Sequence, residues 1–227
     1  MSKMTKQRDR DDEKDKSRMR RQWEFAREID KEKFIKRQTY KSDGITREND
    51  AEHAWHAAVM TLLMSEYSNC EINVLRTMSM LLIHDLVEID AGDTYAYDEE
   101  GKKTQRSREE KAAERIFGIL PGDQRKYFRD LWEEFEEGKT PEAKFAHVMD
   151  NLQPMMLNAA SDGKGWIEHQ TRLGQILERN RPTPEGSHGL WEYACENFLK
   201  PNLEKGHIKG DVPLSPEEER DQSKMEM

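Results

Sequence analysis

The sequence is poor in cysteine, in aromatics and in uninterrupted apolar stretches. Its 227 residues include two cysteines and 8% aromatics. Cys70 and Cys195 stand alone, with no C-x-x-C spacing, which argues against a disulfide framework or a cysteine zinc site and predicts buried free thiols. No run approaches the ~18 apolar residues of a membrane span, and "MSKMTKQRDRDDEKDKSRMRR" lacks the apolar core of a signal peptide. A cytoplasmic protein with no membrane partner is the expectation. Positive excess is missing too. Charged residues make up 37% of the chain and the net charge is −9, which gives no general attraction for nucleic acid polymers or anionic membranes. An anionic ligand must therefore be held by local positive charge or by a metal.

What is present is helical periodicity. Residues 1–21 mix charges of both signs with little apolar surface, and are expected to form a disordered or frayed arm. A single all-α domain is expected over 22–205, followed by a polar tail over 206–227. Within the domain, Trp23 to Phe34 reads as helix and Lys41 to Glu48 as a polar loop. Helices follow from Asn49 to Tyr67 and from Asn73 to Ile89, the second stopped near Gly92, with "GDTYAYDEEGKK" as a loop. Ser107 and Glu110 suggest a capping box for a helix through Ile119, and an aromatic-rich helix ends at Gly138. Thr140 and Pro141 start the next helix, which Pro154 should kink or end. Further helices are expected from Trp166 to Arg179 and from Leu190 to Leu199. No alternating β-branched run and no internal repeat interrupts this pattern, so the fold class is all-α, compact and non-repeating.

Three segments place histidine or aspartate among apolar helical residues: "NDAEHAWHAAVM", "LLIHDLVEI" and "FAHVMDNLQPMM". Each alone has an ordinary explanation as a packed histidine or a solvated carboxylate. Together, His53, His84, Asp85 and Asp150 supply two imidazoles and two carboxylates to one divalent ion, whose charge would compensate the buried acids. Glu88 lies one turn beyond His84 and faces the same space, placed to hold or deprotonate water. Asp93, after Gly92, is placed to return to the mouth of the site. The mixed donor set suits manganese, cobalt, iron, nickel or zinc without deciding among them.

The order H…HD…D, with "RENDAEH", "HDLVEIDAGD" and "AKFAHVMDNL", resembles the HD-domain metal-dependent phosphohydrolases. The similarity is greatest to the bacterial 5'-deoxynucleotidase branch and its HD-domain-containing relatives, and spans roughly residues 37–156. The resemblance implies an all-α fold, metal ligation by His53, His84, Asp85 and Asp150, and catalytic roles for Glu88 and Asp93. It further implies one divalent metal, hydrolysis of deoxyribonucleoside 5'-monophosphates, and a homodimer. The branch carries an arginine followed by tryptophan upstream of the first histidine. Here the nearest match is Arg37-Gln38, leaving Arg37 as the substrate-binding candidate, with Lys36 and Arg47 competing. His56 and His147 are read as packing residues rather than ligands to a second metal. Other readings stay open: a phosphodiesterase or pyrophosphohydrolase acting on a signalling nucleotide, a di-iron carboxylate bundle built on Asp50-x-x-His53, or a non-enzymatic helical interaction domain.

Overall fold

The computed structural model describes residues 3–94 and 99–210. It is all-α apart from one small hairpin. The first helix, α1 (Lys3–Glu28), takes in most of the segment expected to fray. Its second half is tied down. Arg18 makes a forked pair with Asp123 at 2.7 and 2.8 Å, and Arg21 donates to the carbonyls of Gly118 and Ile119. These contacts use charge where apolar burial is scarce, a device that periodicity does not reveal. A 3₁₀ turn (Ile29–Phe34) follows, leaving Phe34 75% exposed.

The expected polar loop contains a short antiparallel pair, β1 (Lys36–Tyr40) and β2 (Arg47–Asn49), with Lys36 opposite Asn49 and Tyr40 opposite Arg47. The hairpin escaped the sequence reading because its strands are short and polar, and its pairing depends on the turn at Gly44. Asn49 then caps α2 (Asp50–Met64) in a reciprocal capping box with Glu52.

The helix expected from Asn73 to Ile89 is broken. It comprises α3 (Val74–Leu81), a 3₁₀ turn (His84–Val87) and the single turn α4 (Glu88–Ala91). Gly92 ends it with φ 75°, a conformation that strains any L side chain. Next come α5 (Glu99–Gly118), α6 (Gly122–Glu137) and α7 (Pro141–Ala160). Helix α5 begins upstream of Ser107, so the expected capping box is interior to it. The expected loop is confined to its first residues, with 95–98 outside the described residues. Thr140 caps α7 with Pro141 in its first turn, as the sequence predicts, but α7 continues past Pro154 to Ala160. Packing on both flanks holds it there: Val148, Met149, Leu152, Met155 and Leu157 are all buried.

The segment expected as one helix from Trp166 to Arg179 is split into α8 (Lys164–Glu168) and α9 (Leu173–Arg179), with Gln170 at φ 52° between them. Then α10 (Thr183–Gly186), α11 (His188–Ala194), a π turn (Cys195–Leu199) and α12 (Lys200–Glu204) close the domain. Gly186 permits α10 to press against α7: a Cβ there would lie 2.6 Å from the Lys144 carbonyl. Part of the expected polar tail packs inward, since Ile208 is 1% exposed and Lys209 pairs with Thr171 and Leu173 through its backbone. Residues 211–227 lie outside the described residues. The thiols are less buried than the sequence suggests: Cys70 is exposed and Cys195 half-buried. No helix of the described residues is long and apolar enough to cross a membrane.

Helix α7 runs through the centre of the core, packed against α2, α3, α6 and α10. It therefore faces both of the other segments that carry histidine.

Candidate metal centre

The three segments singled out in the sequence meet at one point. His53 lies one turn into α2, His84 and Asp85 open the 3₁₀ turn after α3, and Asp150 sits at the middle of α7. One donor atom each from His53, His84 and Asp150 fall within 4.8 Å of one another. His53 Nε2 is 3.0 Å from Asp150 Oδ1 and 4.0 Å from Asp85 Oδ2. His84 Nε2 is 3.1 Å from Asp85 Oδ1 and 3.7 Å from Asp150 Oδ1.

Both imidazoles are oriented from behind. His53 Nδ1 donates to Gln153 Oε1 at 2.9 Å and His84 Nδ1 donates to the Leu81 carbonyl at 2.8 Å. Each ring thus presents Nε2 to the cluster. His84 Nε2 is buried and makes no hydrogen bond. Two imidazole nitrogens, one of them orphaned, and two carboxylates fit a divalent transition ion. The break in the helix matters here. The tight turn after Leu81 lets consecutive residues, His84 and Asp85, serve the same centre.

The charges of the cluster are strongly coupled. Burial opposes the charged form of His84, but Asp85 and Asp150 hold its pKa well above the ordinary value. Burial likewise opposes the charged Asp85 and Asp150, yet the imidazoles keep both carboxyls well below the usual range, helped at Asp85 by Arg37.

A second group of acids, which adds Asp50 to Asp85 and Glu88, adjoins the first. Asp50, Asp85 and Glu88 bring one oxygen each within 4.8 Å of one another. Asp50 is fully buried, and burial with the nearby Asp85 charge pushes its pKa up to about 8. Glu88 is raised well above its usual range by burial and by Asp85 and Asp50, and its Oε2 has no hydrogen-bond partner. Arg37 reaches into this group from β1. Its Nη1 donates to Asp85 Oδ2 at 2.7 Å and to Asp50 Oδ1 at 3.3 Å, and its Nε lies 3.7 Å from Glu48 Oε1. Glu48 and Gln153 are partners that sequence reasoning missed, and Asp50 entered it only through the di-iron alternative built on Asp50-x-x-His53. Glu48 and Gln153 gave no signal in the linear chain.

Asp93 lines the same cavity as His84, Asp85, Glu88 and Asp150, a space of about 220 Å³. Burial raises its pKa. The turn at Gly92 brings it back, and Arg108 holds the segment on both sides by donating to the Ala91 carbonyl and to Thr94 Oγ1. Arg37 also lines the cavity. The competing candidates do not: Lys36 is exposed, and Arg47 pairs with Glu168 and Gln38. His147 donates Nε2 to the Phe135 carbonyl, while His56 Nδ1 meets Gln153 Nε2 at 3.2 Å, so each has a partner of its own. Asp90 pairs with Arg115 at the surface.

Comparison with known proteins places the chain in a family. The chain is 35% identical over 106 residues to 5'-deoxynucleotidase HDDC2 of Danio rerio, covering 47% of this chain and 52% of that protein. It is 34% identical over 113 residues to the Homo sapiens 5'-deoxynucleotidase HDDC2, covering 50% and 53%. The chain thus spans about half the length of these curated relatives. Among solved structures, a predicted metal-dependent phosphohydrolase from Magnetospirillum magnetotacticum MS-1 superimposes with a TM-score of 0.81 at 41% identity, covering 85% of this chain and 96% of that one. Residues 29–191 match the family model of the HD domain, and this stretch contains all four converging donors. The chain belongs to the HD domain family.

Proposed function

We propose that this protein is a metal-dependent phosphomonoesterase that hydrolyses deoxyribonucleoside 5'-monophosphates. The observation that carries the reading is the convergence of His53, His84, Asp85 and Asp150 at the wall of a cavity that His84, Asp85, Asp150, Glu88 and Asp93 line. The names of the HDDC2 relatives supply the substrate class.

In this reading one divalent transition ion is held by His53, His84, Asp85 and Asp150. When bound, such an ion shields phosphoryl charge and acidifies water. The chain's own groups do the rest. Glu88 Oε2, without a hydrogen-bond partner inside the protein, in its ionised form accepts the proton of the attacking water as the water oxygen bonds to phosphorus. Asp93, at the mouth, gives a proton to the sugar oxygen as the P–O bond breaks. Arg37 stabilises the carboxylates around the attack and offers a guanidinium to the phosphate. Arg37 only partly offsets the cost of burying Asp50, Asp85 and Glu88 together, which is the reason a further cation belongs there.

The protein acts in the cytoplasm as a single-domain protomer of a homodimer. An exposed free thiol at Cys70 suits a reducing compartment. The partner surface is the outer face of α2 and α3. Trp55, Val59, Leu62 and Leu63 are exposed along α2, beside Leu75 and Leu82, and no Asp, Glu, Lys or Arg lies between Glu52 and Glu66. A charge-free apolar face of this kind is uncommon on a monomer.

The test is phosphate release from a panel of ribo- and deoxyribonucleoside monophosphates by the purified protein loaded with manganese or cobalt. Release from deoxyribonucleoside 5'-monophosphates is expected. Metal-loaded protein that releases phosphate from none of them would overturn the reading.

A further inference from the structure

The cavity is lined by two arginines, and they differ in how they are used. Arg37 is 12% exposed and already spends Nη1 on Asp85 and Asp50. Arg179, the last residue of α9, enters beside Asp150. Asp150 turns Oδ1 toward the imidazoles and leaves Oδ2 3.9 Å from Arg179 Nη2. That separation is too long for a hydrogen bond. Among the described residues no hydrogen bond takes up the Arg179 guanidinium, whose side chain is 33% exposed. Its charge also acts on Asp93 across the cavity, favouring the ionised carboxylate.

The backbone carrying Arg179 is fixed relative to Asp150. Asn180, the next residue, donates Nδ2 to the Ile176 carbonyl at 2.9 Å and accepts from Thr183 Oγ1 at 3.2 Å. Thr183 Oγ1 in turn faces Asn151 Nδ2 at 3.5 Å, and Asn151 follows Asp150 in α7. Asn151, Asn180 and Thr183 are all buried. A polar chain through the core thus aligns residue 179 with residue 150, while the guanidinium is left with donors to spare. In a chain of net charge −9 whose cavity is crowded with carboxylates, an anion needs such a local cation.

The geometry points to Arg179 as a substrate-binding residue that grips the phosphate oxygens of the substrate. The inference rests on the phosphomonoesterase reading for the identity of that substrate. A guanidinium two-thirds buried, with a planar fork of unused donors, is matched to a tetrahedral oxyanion in a way that a lysine is not.

Inorganic phosphate is the probe. It is titrated calorimetrically into the manganese-loaded full chain, as wild type, Arg179→Gln and Arg179→Lys, and bound manganese is measured in each. The expected result is phosphate binding weakened about 10- to 100-fold in Arg179→Gln, as for loss of hydrogen bonds to a charged partner, with an intermediate effect in Arg179→Lys. Manganese content should be unchanged in both. Equal phosphate affinity in wild type and Arg179→Gln would overturn the assignment, as would absence of phosphate binding in wild type. Loss of manganese from Arg179→Gln would overturn it too, making the residue a counter-ion of Asp150. Turnover of nucleoside monophosphates is read separately. Phosphate bound through Arg179 without turnover would support this assignment and retire the phosphomonoesterase reading.

Discussion

Gln153 Oε1 accepts a hydrogen bond from His53 Nδ1 at 2.9 Å, while the Nε2 of the same glutamine side chain donates to Glu48 Oε2 at 2.8 Å. One buried amide therefore fixes the tautomer of the His53 imidazole and satisfies one oxygen of a buried acid. Gln153→Leu is expected to leave the fold intact and to weaken manganese binding about 10- to 100-fold. Fluorescence or calorimetric titration of the metal checks it, and an unchanged dissociation constant would show that His53 is oriented by other means.

Glu88 and His84 should separate in their effects. His84→Ala removes a donor whose Nε2 faces the cluster, so metal and turnover should be lost together. Glu88→Gln should keep the metal and lower kcat by about 10²- to 10⁴-fold, the usual contribution of a positioned proton acceptor. Elemental analysis beside the rate measurement decides between the roles. Metal lost from Glu88→Gln would mark that residue as a ligand.

Glu32 makes stability depend on pH in the metal-free protein. Burial and the Asp85 charge raise its pKa from 4.5 to about 7. The folded state thus holds a proton that the unfolded state releases above about pH 4.5. Its contribution is complete below that value and is lost as pH rises through about 7. Glu32→Gln should be more stable than wild type at pH 8.5 by up to about 3 kcal/mol, and not at pH 4. Urea denaturation of chelator-treated protein at the two pH values provides the comparison, and an equal difference at both would refute the assignment.

Metal removal should cost stability through linkage. An ion that binds only the folded protein stabilises it by about 2.7 kcal/mol at a hundredfold excess over its dissociation constant. Manganese should accordingly raise Tm, EDTA should reverse the shift, and Asp85→Asn should abolish it. A manganese-induced rise that persists in Asp85→Asn would place the ion elsewhere.

The outer face of α2 and α3 gives an assembly test. Leu62 and Leu63 are 63% and 69% exposed, so a charge there costs the protomer little but disfavours burial against a second copy. Leu63→Lys should shift the mass in solution from dimer to monomer, with the circular dichroism spectrum unchanged. Wild-type protein that is monomeric at tens of micromolar would remove the proposal.

The cluster of His53, His84, Asp85 and Asp150 was largely legible because its residues break a local rule. Histidine and aspartate within apolar helical runs are costly unless compensated, so "LLIHDLVEI" and "FAHVMDNL" stand out in the linear chain. Thr140 and Pro141 were legible for a similarly local reason, since capping depends on neighbours three residues away. The hairpin at Lys36–Tyr40, the break after Leu81 and the passage of α7 through Pro154 were not. The hairpin's strands are too short and polar to show a pattern, and the other two depend on contacts distant in sequence. Pro154 stays helical within a core of buried neighbours, and the turn at His84 is fixed by packing against α2 and α5.

The sequence by itself determined the all-α class and the order of the main helices, and it singled out His53, His84, Asp85 and Asp150 as candidate ligands, because periodicity and misplaced polarity are local properties. Tertiary structure alone decided that Gln153 and Leu81 orient the imidazoles, that Asp50 joins Glu88 beside Asp85, and that Arg179 stands at Asp150 with donors to spare. These are distances between residues separated by up to about a hundred positions. No pattern in a linear chain encodes them until α7 has packed between its partners and burial has set the cost of every unpaired charge.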